Sequence, residues 1–350
     1  IIEFLIILNI ITSSMKSLKS LNKIEPKWFN ELILKCSPTK LENFYVYDKI
    51  LRQKSNLSNN QKQTKSTFSF KWRKESSYKE SFYNFMTDWL NKKYGKIEEN
   101  LKLYTSDSKP LILDAGCGAG VSTLCYFKSV FDKINLVGVD VSDSIDIFRK
   151  NLKKKKINNI GLIQADLNKL PFKDNTFDFI FSEGVLHHTS STRTAICRLS
   201  KKLKPKGIFM FYVYKKKAPI REFSDDYIRN YLQKFSAKET WNLLKSLTEL
   251  GTELGKINQK IVIKNPIKYL GIPAGETTVQ RLIYWNFLKI FYRDDFSFEE
   301  CLHVNFDWFT PTNALRQTPE NVKNWCEKAK IDIIKLNIEE SGMTVVGKKN

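Results

Sequence analysis

The chain has 350 residues, 42% hydrophobic and 13% aromatic, enough to bury a core and to exclude a disordered or fibrous protein. Its formal net charge is +21, yet only ten of its 58 basic residues are arginine and the lysines are scattered along its length; such diffuse charge, poor in planar guanidinium forks, argues against a dedicated nucleic-acid patch. Six cysteines without a C-x-x-C pair and three histidines, two of them adjacent, exclude a zinc ribbon, a disulfide scaffold and a histidine-built metal site, so no metal is expected and a reducing cytoplasm is.

The first stretch, "IIEFLIILNII", is shorter than the roughly 20 apolar residues that span a bilayer. It has neither the basic leading region nor the cleavage site of a signal peptide. Residues 1–14 therefore read as a mis-set start or a fragment's leader, with Met15 as the expected start, rather than as an amphipathic anchor. Residues 15–81 are lysine- and serine-rich, and "RQKSNLSNNQKQTKST" reads as a loop or linker. From Phe82 to Tyr94 the apolar residues recur at helical spacing, closed by Gly95.

Strand-like and helical stretches then alternate. "LILDA" (111–115), "INLVGVD" (134–140), "IGLIQAD" (160–166), "FDFIFS" (177–182) and "GIFMFYVY" (207–214) are near-continuous apolar runs. Helical stretches lie near 120–130, 142–155 and 191–203, which predicts a parallel sheet covered on both faces. The sheet core then runs over 82–214 and is interrupted over 215–316. That interruption is too long for a loop, and its patterns "DDYIRNYLQKF", "AKETWNLLKSLTELGTELGKI" and "VQRLIYWNFLKIFY" predict a largely helical cap. Residues 317–350 supply a capped helix ("TPENVKNWCEKAK") and two strands around "SG", an antiparallel hairpin that closes the sheet edge.

After the first core strand, Gly116, Gly118 and Gly120 alternate. A dinucleotide fingerprint would be G-x-G-x-x-G; the observed G-x-G-x-G is preceded by Asp114, a poor neighbour for a pyrophosphate and a good one for a cationic ligand. The second strand ends in Asp140, where a carboxylate meets ribose hydroxyls, and the third leads to Asp166, where one accepts from an adenine amino group.

Together, "LILDAGCGAG", "VGVDVS", "QADLNKLPF", "FDFIFSEGVLHH" and "LSKKLKPKGIFMFYVY" resemble the successive motifs of class I S-adenosylmethionine-dependent methyltransferases of the type 11 group. The resemblance implies a Rossmann-like α/β sheet, mostly parallel, with S-adenosylmethionine as cofactor. It implies that Gly116, Gly118 and Gly120 hold the amino-acid part of the cofactor, Asp140 its ribose, and Asp166 with Leu167 its adenine. Asp114, Cys117, Val141 and Glu183 join that expected set. The cap motifs are similar to those of bacterial methyltransferases from surface-polysaccharide and related biosynthetic clusters. Such relatives carry a cysteine-rich knuckle before a segment like "STFSFKWRKES"; here only Cys36 precedes it.

Methyl transfer from a sulfonium is an in-line displacement, so positioning and exclusion of water matter most, and a base is needed only for an acceptor that holds its proton. No proline-pair motif of exocyclic-amine methyltransferases follows the fourth strand. His187 and His188 are the base candidates, or else cap local backbone; Glu183 faces the cofactor or is a solvated loop acid. Arg221 and Arg229 grip an anionic part of the acceptor, or form i,i+4 pairs with Asp225 on a solvated face. Trp308 and Arg316 reach the acceptor, or Trp308 is core. The expected function is methyl transfer to a small-molecule or glycan-precursor acceptor; the alternatives are a silent cofactor-binding subunit and an RNA methyltransferase.

Overall fold

A computed structural model describes residues 24–54, 57–74, 80–103, 108–257 and 259–350. The N-terminal apolar stretch and Met15 lie outside the described residues.

The main sheet has nine strands: β1 (Phe44–Tyr47), β2 (Ile50–Gln53), β3 (Leu111–Ala115), β4 (Asn135–Asp140), β5 (Ile160–Gln164), β6 (Phe177–Ser182), β7 (Leu203–Tyr214), β10 (Ile331–Ile338) and β11 (Gly342–Lys349). Between β7 and β10 the cap contributes a separate hairpin, β8 (Lys260–Ile263) and β9 (Gly275–Thr278). The order in the main sheet is β1-β2-β5-β4-β3-β6-β7-β11-β10, with β2, β5, β4, β3, β6 and β7 mutually parallel. The order reverses beside β3, so the loops after β3 and β6 open a crevice at the strands' carboxyl ends. The predicted closing hairpin is present, with β11 antiparallel to both β7 and β10.

The apolar runs alternate their residues between two cores. Ile112, Leu136, Leu162 and Phe179 face one side, under helices Glu80–Tyr94 and Ser144–Lys154. Leu113, Val137, Ile163 and Ile180 face the other, under helices Lys27–Leu34, Thr192–Lys202 and Pro319–Lys328. Burial on both faces is why these strands read as continuous hydrophobic runs. A third core, with Trp241, Leu302, Phe306 and Phe309, holds the cap helices Pro219–Leu232, Ala237–Ile257 and Phe298–Phe309 together.

Two expectations need correction. The stretch read as a linker contains β2's end and a helix, Asn59–Trp72, started by a capping box between Ser58 and Gln61. That helix buries Thr64, Thr67, Ser69 and Lys71, so its inward face is polar and leaves no apolar periodicity to detect. In the cap, the run from Val279 is helical only to Asn286; beyond it the chain leaves the helix and puts Ile290 into the core. No helix among the described residues is long and apolar enough to cross a membrane.

Residues 24–53 pack as part of the sheet domain. A Cβ added at Gly161 on β5 would lie 2.3 Å from the Phe29 ring. Gly161→Ala should therefore destabilise the protein by about 1–3 kcal/mol through overpacking. Phe29→Ala in the same chain should remove most of that increment in urea unfolding; equal increments with and without Phe29 would show that the helix does not cover β5.

Candidate active site

The turn after β3 is tied to the end of β4. Gly116 and Cys117 donate their N–H groups to Val139 O at 2.7 and 2.9 Å, and Gly118 N–H donates to Asp140 Oδ2 at 2.9 Å. Gly118 has φ +52 and Gly120 φ +80, and a Cβ on Gly120 would fall 2.0 Å from Phe148. Side chains are excluded there by both conformation and space. Asp140 Oδ1 accepts from Ser142 N and Oγ at 2.7 and 2.6 Å. A carboxylate offers about four lone-pair sites, so three bonds leave Asp140 one acceptor position where it lines the cavity.

That cavity has a volume of about 410 Å³. Gly116, Gly118, Asp140, Val141, Asp166, Leu167 and Glu183 line one part of it, so most of the expected cofactor residues are brought together. A turn that admits no side chain, beside a carboxylate with a free acceptor position, fits an adenosyl ligand. Three of the set stand back from the opening. Asp114 is 2% exposed beneath the loop and accepts from Thr123 Oγ1. Cys117 is buried, its thiol pushed well up by burial, and Gly120 serves as the N-cap of helix Val121–Tyr126. Asp166 is spent largely on structure: Oδ1 accepts from Asn168, and Oδ2 accepts from Gln61 at 3.2 Å.

The two histidines separate. His187 is fully buried, neither ring nitrogen has a hydrogen-bond partner, and it stacks on Tyr214 with centroids 3.6 Å apart. It does not line the cavity, which corrects its candidacy as the base nearest the reacting centre. His188 does line it. Its Nδ1 lies 2.6 Å from Asn313 O; a carbonyl can only accept, so Nδ1 carries the proton and Nε2 presents its lone pair. Burial lowers His188 to about 4, against the raising influence of Asp307, and keeps the ring neutral.

Glu183 is no solvated loop acid. It lines the cavity and accepts from Lys93 Nζ at 3.1 Å and from the Tyr94 hydroxyl. Lys93 is 1% exposed, and burial, opposed by Glu183, lowers it to about 8.

The arginines depart most from expectation. Arg221 lines the cavity, but its guanidinium is committed to Asp225 Oδ2 at 2.8 Å and to Tyr284 O, in a pair buried rather than solvated. Arg229 donates twice to Trp308 O, at 2.9 and 2.6 Å, instead of pairing with Asp225. Arg316 is held by Glu222 and Asp226. Arg229 and Arg316 line a separate surface cleft, so neither reaches the ligand cavity. Trp308 does line the cavity, together with Tyr214, Tyr284, Trp285 and Phe291.

Helix Asn59–Trp72 supplies the residues that sequence reasoning missed: Gln61, Thr64, Phe68, Lys71 and Trp72 line the cavity. The helix is bound to the cap through Lys71 to Asp307 at 2.6 Å and Gln63 to Thr310 O at 2.8 Å. It is bound to the sheet domain through Asp143 N–H to Ser69 Oγ at 3.1 Å. Its capping box was the available signal. Among the described residues, no group of three or more His, Cys, Asp or Glu is placed to hold a metal ion.

Residues 113–211 match the family described as "Methyltransferase domain". The chain carries a class I S-adenosylmethionine-dependent methyltransferase domain. It is similar to an uncharacterised methyltransferase of Schizosaccharomyces pombe, 38% identical over 27% of this chain and 37% of that protein. An uncharacterised methyltransferase of Bacillus subtilis, YcgJ, is 26% identical over 55% of this chain and 76% of its own. The ubiquinone/menaquinone biosynthesis C-methyltransferase UbiE of Shewanella baltica is 29% identical over 38% and 55%. The match to the first and third of these relatives spans less than two thirds of their lengths. The glycine turn and the acid ending β4 both lie inside the matched methyltransferase domain, whose cofactor is S-adenosylmethionine.

The buried Asp114 gives the domain a pH signature. Burial raises its carboxyl from 3.8 to about 7; the Thr123 hydrogen bond opposes this, and Asp140 and Glu183 add to it. The unfolded chain loses this proton near 3.8 while the fold keeps it, so stability falls as pH rises between those values. Asp114→Asn has no proton to lose and should gain on the wild type by roughly 1–3 kcal/mol between pH 4 and pH 7.5 in urea unfolding. A stability difference that is the same at both pH values would contradict a protonated buried carboxyl.

Proposed function

We propose that the protein transfers the methyl group of S-adenosylmethionine to a small-molecule acceptor bound in the aromatic half of the cavity. The observation that carries this reading is that a single cavity runs from Gly116, Gly118 and Asp140 to Tyr214, Trp285, Phe291 and Trp308 under the cap. When bound, the cofactor supplies an electrophilic methyl group on a sulfonium that leaves as a neutral thioether. Asp140 would hold the ribose hydroxyls with its remaining acceptor position, and the turn at Gly116 and Gly118 would seat the methionine part.

The rest of the chemistry is positioning. The helix Asn59–Trp72 and the cap roof the cavity, which excludes water and fixes the approach of the acceptor. The aromatic walls favour a flat or hydrocarbon-rich acceptor, and they suit a sugar ring as well. The quinone-biosynthesis name of one relative favours the small-molecule class. His188 lines the cavity, and its Nε2, unprotonated, buried and without a hydrogen-bond partner, would take the proton of an acceptor hydroxyl bound against it.

Calorimetry with S-adenosylmethionine tests the first half of this reading. Asp140→Ala should weaken binding by roughly 1–3 kcal/mol, the scale of hydrogen bonds to a charged group. Gly118→Arg should abolish it, since a Cβ there already lies 3.0 Å from the Trp72 indole. Unchanged affinity in both variants would remove the cofactor from this site. For turnover, His188→Ala should lower kcat on a hydroxyl acceptor by about tenfold or more while leaving cofactor affinity within about threefold. Full turnover in that variant would assign His188 to structure alone.

A further inference from the structure

Five cationic side chains line the cavity: Lys71, Lys217, Arg221, Lys289 and Arg293. Four are committed to acceptors. Lys71 pairs with Asp307 and Arg221 with Asp225, at 2.6 and 2.8 Å. Arg293 pairs with Asp295 at 2.6 Å, and Lys217 donates to Ser341 O at 2.7 Å and to Glu340 O. Among these described lining cations, Lys289 alone has neither an ion pair nor a hydrogen-bond acceptor. It is 7% exposed, and its ammonium lies 4.5 Å from the Trp308 ring centroid, 5.9 Å from that of Tyr284 and 6.0 Å from that of Phe291.

Taking an ammonium out of water costs several kcal/mol, and a cation–π contact returns only about 0.5–2. Ring faces also accept none of its three N–H donors in the manner of an oxygen. Burial, reinforced by Arg221 and Arg229 and opposed by Asp307 and Asp225, lowers Lys289 to about 7, as befits a cation still lacking its counter-charge. Methionine would fill the same apolar space without that cost. We propose that Lys289 binds the carboxylate of the methyl acceptor, whose flat apolar body lies among Trp308, Trp285, Tyr284 and Phe291. A cation with no acceptor of its own, set among aromatic walls, matches the single charge of a carboxylate on a flat body. This inference deepens the proposed function and rests on it.

The probes are 2-naphthoate and its neutral isostere 2-naphthamide, titrated calorimetrically with and without S-adenosylhomocysteine. The wild type should bind naphthoate at least about tenfold tighter than naphthamide. Lys289→Met should bring the two within about threefold while Lys289→Arg keeps the preference, and cofactor-product affinity should stay within about threefold in both. The proposal is overturned if the wild type shows no preference, including no binding of either probe at about 5 mM, or if the preference survives in Lys289→Met. Should the wild type fail to bind S-adenosylhomocysteine, the methyltransferase reading falls instead, and the naphthoate comparison without it still reads Lys289.

Discussion

One hydrogen bond organises the glycine-turn side of the cavity: Gly118 N–H to the Asp140 carboxylate. It joins the turn after β3 to the end of β4, next to the two bonds that Gly116 and Cys117 make to Val139 O. Those contacts hold the glycines in left-handed conformations and turn Asp140 toward the cavity. Ser142 then fixes the other carboxylate oxygen. The strand order reverses beside β3, so the crevice opens at the place where this turn sits.

Around that fixed floor, the roof is assembled from distant parts of the chain. Helix Asn59–Trp72 is held to the cap by Lys71 and Gln63 and to the sheet domain by Ser69. Its buried face is polar because it has polar groups to meet: Asp307, Thr310 O, Asp143 N–H and Asp166. Trp72 lies over Gly118 and Gln61 reaches Asp166, so the roof touches both the glycine turn and the loop after β5.

The cap uses its charges in an instructive way. Arg221, Arg229 and Arg316 are forks with matching acceptors, and the fold spends them on Asp225, backbone carbonyls, Glu222 and Asp226. They hold cap helices to one another and to Trp308. Lysine is the more compact and more strongly hydrated cation, and Lys289 is the one left among rings on the cavity wall. A sequence argument that ranks arginines first for anion binding overlooks that planar forks are also the best structural clamps.

The sequence by itself determined the five parallel strands β3 to β7 with their alternating helices, the glycine turn and the acids at the strand ends, but not β1 and β2. Each is a local property: doubly buried strands need continuous apolar runs, and a tight turn against a neighbouring strand needs glycine. The closing hairpin was legible for the same reason. Tertiary structure alone decided what the polar residues do. His187 and His188 are chain neighbours, but one stacks under Tyr214 and the other reaches the cavity. Lys93 and Tyr94 find Glu183 about ninety positions away, and Gln61 finds Asp166 across a longer gap. A hydrogen bond or ion pair stabilises through a partner's position and desolvation, which no spacing along the chain encodes.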